Sequence, residues 1–271
     1  GFQLRMGGSC PNHIVVIKEN LAIRRMRPAG RCPVLVDIDG TLTDDRRGAQ
    51  IDPRHPLGNA LFRILRDELA RGGRSRTAAE QALRRHTEEN VFWDYPDFVE
   101  HFDLPAERVW RSFRAWHARH LKAYADGVRM VKDLRRRGHP LFIISNNPLT
   151  GCLFKLEVAG LGGLAGSSCF CRIFCSNIMR GQKGRPAYWR RAFISAGLDP
   201  ATVVVVGNDR REDFEVPREL GIRHTFLVDR ARARPAVPEA GLTVVGSLGE
   251  VGRLLDRLEA GRRPVRPRRC A

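Results

Sequence analysis

Asp37 and Asp39 stand two residues apart at the end of an apolar run, in the stretch VLVDIDGTLTDD, and Gly40 follows them at once. Side chains two apart on a strand point to one side, and a glycine directly after them permits a tight turn that leaves both carboxylates exposed. Like charges so close repel and raise one pKa unless a cation compensates. A second acidic cluster, Asp209 and Asp213, follows the later run VVVVG. Carboxylates and water suit a hard divalent cation, and Mg²⁺ is the simplest compensation for such a site. The positive counterpart is Lys183 in RGQKGRP, in a chain whose other lysines are Lys18, Lys122, Lys132 and Lys155. Ser145 and Asn146 close the run LFIIS. An anionic group held between a metal and a lysine, with a hydroxyl and backbone N–H groups as donors, is what phosphoryl transfer requires.

Those residues need a frame that brings distant segments together. PVLVD (33–37), LFIIS (141–145), CRIFC (171–175), VVVVG (203–207) and HTFLV (224–228) are near-continuous apolar runs separated by helical patterns. Such runs predict a parallel sheet covered on both faces, an α/β doubly wound architecture whose ligands bind beyond the carboxyl ends of the strands. Val128, Val131 and Leu134 mark one helix that Gly138 stops. Pro186 opens another, with Trp189, Ala192, Phe193 and Ala196 inward and Gly197 closing it. Ser247 with Glu250 reads as a capping box ahead of Val251, Leu254, Leu255 and Leu258.

Roughly a hundred residues separate the first and second strands, far more than a crossover needs. That interval reads as a helical insertion. Leu57, Leu61, Ile64, Leu65 and Leu69 stripe one helix; Thr77 with Glu80 caps a second, through Ala82 and Leu83; Val109, Trp110, Phe113, Trp116, His117, His120 and Leu121 stripe a third. The organisation expected is an N-terminal extension over 1–30, a core made of 31–45 and 126–260, a smaller helical cap over 46–125, and a basic, disordered tail over 261–271.

The ordered set resembles the haloacid dehalogenase (HAD) superfamily: DIDGTLTD first, the strand ending in Ser145 second, Lys183 third and GNDRRED fourth. The resemblance spans about Val34 to Val228 and implies a Rossmann-like core and an Mg²⁺-dependent phosphomonoester hydrolase acting on a small phosphorylated substrate. It further implies that Asp37 is the nucleophile forming an aspartyl-phosphate. Asp39 would be the general acid and base, and Thr41 would help position Asp39 and the phosphate. Ser145 and Asn146 would hold phosphate oxygens, with Lys183 neutralising charge. The metal would be bound by Asp37, the Asp39 carbonyl and the acids Asp209 and Asp213. Asn208 stands where many relatives carry Asp, and Gly184 and Arg185 separate Lys183 from a Pro that often follows it directly. Dehalogenases generally lack the second Asp, so Asp39 favours phosphoryl chemistry over dehalogenation; a phosphomutase uses it too.

A formal net charge of +17 over 271 residues would attract phosphates, nucleic acid or anionic surfaces. It keeps open a nucleotide or nucleic-acid-end phosphatase, or a basic nucleic-acid-binding module, with Arg46 and Arg47 as extra phosphate contacts. The longest apolar runs fall far short of a membrane span, the N-terminal stretch lacks the pattern of a secretory signal, and cysteines without CxxC spacing read as reduced thiols, Cys169, Cys171 and Cys175 among them. A cytoplasmic protein is expected. His117 and His120 read as packing residues, not metal ligands.

Overall fold

The computed structural model describes residues 31–45, 60–163 and 168–262. The N-terminal extension, Arg46, Arg47, Leu57 and the segment 263–271 lie outside the described residues. Seven strands form the main sheet in the order β5-β4-β1-β6-β7-β9-β8. They are β1 (Val34–Asp37), β4 (Leu141–Ile144), β5 (Arg172–Phe174), β6 (Val204–Gly207), β7 (His224–Val228), β8 (Ala236–Glu239) and β9 (Leu242–Val245). All pairings are parallel except β8 with β9. The five runs read from the sequence are the five strands β5, β4, β1, β6 and β7.

Alternation along these strands builds two cores. Val34, Val36, Ile143, Val204 and Val206 face one side, where helices Ala125–Arg136, Leu149–Val158 and Val251–Arg262 contribute Val131, Phe154 and Leu255. Leu35, Phe142, Ile144, Val203 and Val205 face the other, against Tyr188, Trp189, Ala192 and Phe193 of helix Pro186–Ala196. Each fully buried aliphatic side chain contributes roughly 1.5–3 kcal/mol, so a strand apolar on both faces is anchored twice. Asp37 follows Leu35 by two residues and so shares its face. β1 pairs in parallel with both β4 and β6. Its carboxyl end therefore opens between the ends of two neighbours, where the chain direction across the sheet reverses and ligands bind in such folds.

Helices Ala60–Arg71, Arg76–Glu89, Tyr95–His101 and Ala106–His120 fill the long interval after β1. Phe62 lies edge-on to Trp93 and Phe98, at 5.2 and 5.3 Å between centroids. A small two-stranded ribbon pairs the two sides of this helical segment, β2 (Thr43–Asp45) antiparallel to β3 (Leu121–Ala123). Asp44 stands opposite Lys122 in that pairing. The second helix starts earlier than Thr77 implied: Ser75 is the N-cap, its hydroxyl accepting from Ala78 N at 3.2 Å. The Ser247 box also differs. Ser247 accepts from Gly249 N and donates to Asp126, and a short 3₁₀ turn precedes the last helix. That helix runs to Arg262, two residues into the segment read as tail. No helix among the described residues is long and apolar enough to cross a membrane.

Candidate active site

At the carboxyl end of β1 the chain turns sharply. The N–H groups of Thr41, Leu42 and Thr43 all donate to the Ile38 carbonyl, and Gly40 sits at φ +76°, where a side chain is strained. A Cβ there would come within 2.3 Å of the Asn208 amide. The turn separates the two acids that spacing alone had put side by side. Asp37 remains in the sheet, buried, while the Asp39 side chain is 47% exposed.

Asp37 is held by two donors: Lys183 Nζ lies 2.5 Å from its Oδ1, and the Thr41 hydroxyl donates to Oδ2 at 2.8 Å. Lys183 also reaches Asp213 Oδ1 at 2.8 Å. Asp213 Oδ2 accepts the N–H groups of Asn208 and Asp209 at 3.1 and 3.0 Å, which locks the loop after β6 around it. A π-helical turn over Arg211–Glu215 carries Asp213 back beneath that loop. Gly207 makes the approach possible, since a Cβ would fall 2.2 Å from Asp213 Oδ2.

Burial pushes Asp37 up to about 7; the charges of Asp213 and Asp39 add to the shift, and Lys183 opposes it. Burial would lower Lys183, but the two carboxylates outweigh it and hold its ammonium well above the ordinary lysine range. One lysine thus faces two buried carboxylates, leaving negative charge to be compensated.

The Asn208 side chain stands where that compensation would sit. With its amide turned inward it lies 2.8 Å from the Asp39 carbonyl, 3.2 Å from Asp37 Oδ2 and 3.2 Å from the Thr41 hydroxyl. Three oxygens of the first motif therefore converge on one point. Asp209 faces elsewhere: it is exposed, and its Oδ1 accepts from Glu212 N at 2.7 Å.

Ser145 and Asn146 are both at the strand end, in supporting contacts. The Ser145 hydroxyl accepts from Asn147 N and Nδ2 at 3.1 and 2.9 Å, and Tyr188 bridges Ser145 N and the Phe174 carbonyl. Asn146 Oδ1 accepts from Lys183 N at 2.7 Å while its Nδ2 donates to Glu212, so this side chain fixes the lysine loop to the fourth segment. Trp189 Nε1 donates to the Lys183 carbonyl at 2.8 Å and secures the other end of that loop.

Asp39 has partners of its own. Lys155 Nζ lies 2.5 Å from Oδ1, and Asn147 Nδ2 lies 2.5 Å from Oδ2. Burial would raise this carboxyl, but Lys155 and Asn147 hold it below the usual carboxylate range. The sequence reading missed both residues. Lys155 had a signal, the one cation inside the largely apolar stretch LTGCLFKLEV; Asn147 had none beyond its place after Ser145 and Asn146. His117 and His120 stay in the helical segment, each ring turned to a carbonyl of its own helix, Phe113 and Trp116.

No curated protein matches the sequence. Among solved structures, a 2-haloacid dehalogenase from Pseudomonas syringae pv. Tomato DC3000 superposes with a TM-score of 0.52 at 18% identity, over 84% of this chain and 99% of that one. A HAD phosphatase from Thermococcus onnurineus has a TM-score of 0.49 at 22% identity, over 83% of this chain and 97% of its own. At 18% identity the likeness to the dehalogenase is one of fold. The haloacid dehalogenase-like hydrolase family matches residues 34–221. That span opens with the strand that carries Asp37 and closes beyond Asp213, so it takes in every residue gathered at this strand end: the chain belongs to the haloacid dehalogenase-like hydrolases.

Proposed function

We propose that this hydrolase is an Mg²⁺-dependent phosphomonoesterase working through an aspartyl-phosphate on Asp37. The carrying observation is that Asp37 and Asp39 lie two residues apart yet have separate cations, Lys183 for one and Lys155 for the other. Two carboxylates in different surroundings can take different parts in one reaction. Asp37, oriented by Thr41 and Lys183, attacks phosphorus. Asp39, at the exposed lip, gives a proton to the leaving oxygen and later takes one from the water that releases phosphate. Lys183 offsets negative charge on Asp37 and the bound group, and Ser145 with Asn146 and Asn147 shapes the loop that faces it. The substrate is small and enters beneath the helical segment 60–120, which acts as the cap.

The donors present suit Mg²⁺: a buried carboxylate short of positive charge and a backbone carbonyl converge on the Asn208 amide. Asp37, the Asp39 carbonyl and Asn208, its amide turned over so that Oδ1 replaces the NH2, would hold the ion, with Asp213 fixing the loop behind it. When bound, it would supply positive charge to the phosphoryl oxygens.

A dehalogenase shares the fold, and Asp39 favours phosphoryl chemistry over it. Incubation with an aryl phosphate and Mg²⁺ should release phosphate, and Asp37→Asn should abolish it. Full turnover by Asp37→Asn, or halide release from a 2-haloacid without phosphate release, would overturn the reading. The nucleotide or nucleic-acid-end alternative rests on the +17 charge and predicts binding that weakens steeply with salt.

A further inference from the structure

Lys155 is a cation in the middle of an apolar helix. Leu153, Phe154 and Leu156 around it in Leu149–Val158 are buried, and its own side chain is 7% exposed. Burying an ammonium and freezing a long side chain is costly unless the partners are good. Its partners are Asp39 Oδ1 at 2.5 Å and Asn147 Oδ1 at 3.3 Å. Asn147 takes the other Asp39 oxygen, and Asn147 is itself fixed to the Ser145 hydroxyl. Both oxygens of Asp39 are thus held by different donors, which sets the plane of the carboxylate as well as its position.

The same helix is the mount for the helical segment. Asp94, just ahead of helix Tyr95–His101, accepts from Thr150 N at 3.1 Å and from the Thr150 hydroxyl at 3.0 Å. Phe154, next to Lys155, stacks on His117 at 5.2 Å and lies 5.9 Å from Phe113, both on helix Ala106–His120. Arg114 of that helix pairs with Glu157 at 2.6 Å. A helix of three turns therefore seats the insertion along its length, through Thr150, Phe154 and Glu157, and holds Asp39 through Lys155.

We propose that Lys155 is a positioning residue that fixes the Asp39 carboxylate and, through its helix, makes that placement depend on how the segment 60–120 is seated on the core. The inference rests on Asp39 being the acid and base of the proposed reaction. A substrate that draws the helical segment onto the core would align Asp39 in the same movement.

Steady-state kinetics with an aryl phosphate and Mg²⁺ test it on the full chain. Lys155→Met should lower kcat about 10- to 100-fold with KM nearly unchanged, since Asp39 acts on the leaving oxygen only as the bond breaks. Lys155→Arg should recover part of the loss. Lys155→Met combined with Asp39→Asn should be no slower than Asp39→Asn alone, and Asp94→Ala should slow the parent chain but not the Lys155→Met chain. Full kcat in Lys155→Met, or losses that multiply in either pair, would overturn the proposal. If Lys155→Met does not fold, the same pairs built on Lys155→Arg decide between coupled and multiplying losses. Asp37→Asn separates the two levels: activity retained there overturns the reaction and the inference together, whereas an inactive Asp37→Asn beside a fully active Lys155→Met overturns the inference alone.

Discussion

Lys183 and Asp37 form a buried ion pair, Nζ to Oδ1 2.5 Å, that Asp213 shares from the other side at 2.8 Å. The cluster is one positive charge short, and that asymmetry gives the two single deletions different costs. Lys183→Met strands two carboxylates, and removing one partner of a buried pair typically costs about 3–5 kcal/mol. Asp37→Asn leaves Lys183 paired one to one with Asp213 and removes an acid that burial disfavours, so it should be neutral or slightly stabilising. Urea unfolding without divalent ions at mildly alkaline pH measures both. Equal losses would mean that Asp37 is not the strained member, and both variants should lack turnover.

Gly207 bears on the same cluster through space alone. A Cβ 2.2 Å from Asp213 Oδ2 forces that carboxylate off the N–H groups of Asn208 and Asp209. Gly207→Ala should therefore cost at least about 1–3 kcal/mol, the scale of overpacking, and slow the enzyme as much as Asp213→Asn does. The double variant should be no slower than either single one. Multiplying losses would show that Gly207 and Asp213 act independently.

Asn208 and Asp209 trade the places that charge alone suggests. Asp209 is the acid, but its carboxylate accepts from Glu212 N; Asn208 is neutral, yet it stands beside Asp37, Thr41 and the Asp39 carbonyl. Asn208→Ala should raise the Mg²⁺ concentration needed for half-maximal activity, by about 10-fold if it removes one ligand-sized contribution of roughly 1.4 kcal/mol. Asp209→Ala should leave that requirement in place and cost about 1 kcal/mol of stability, as the loss of a helix cap does. A larger shift in Mg²⁺ requirement for Asp209→Ala would reverse the assignment.

The sheet was legible because its strands are apolar on both faces; VLVD, LFII and VVVG have no other stable setting. The strands β8 and β9 escaped: β8 carries Pro238 at the edge of the sheet, and β9 beside it is only half buried. At the site, the residues at strand ends were legible because the sheet brings them together in register. The separation of Asp37 from Asp39 was not: the period of a strand says they share a side, and three N–H groups converging on the Ile38 carbonyl overrule it. Lys155 lay in plain view as a charge within an apolar helix, but only packing shows which carboxylate it meets.

His117 supplies a test on the acid side. Its ring is buried, stacked on Phe154, with Nδ1 2.8 Å from the Phe113 carbonyl. Burial, helped by the charge of Lys155, lowers it from 6.5 to about 4; the Phe113 carbonyl and Asp39 oppose the shift. A depressed folded-state pKa means the unfolded chain binds the proton first, so the stability held by the neutral ring is complete above about 6.5 and is lost as pH falls through about 4. Between neutral pH and about pH 5 the loss should reach about 2 kcal/mol. Asp37 and Asp94, both raised to about 7 by burial, slope the other way: their contribution is complete below about 4 and is lost as pH rises through about 7. The parent profile is therefore a balance, and the difference from His117→Gln isolates the histidine. That variant should be the less stable at neutral pH, and the gap should close by about 2 kcal/mol near pH 5. A gap independent of pH would mean that His117 titrates alike in the folded and unfolded chain, and an imidazole proton resonance titrating near 6.5 would say the same.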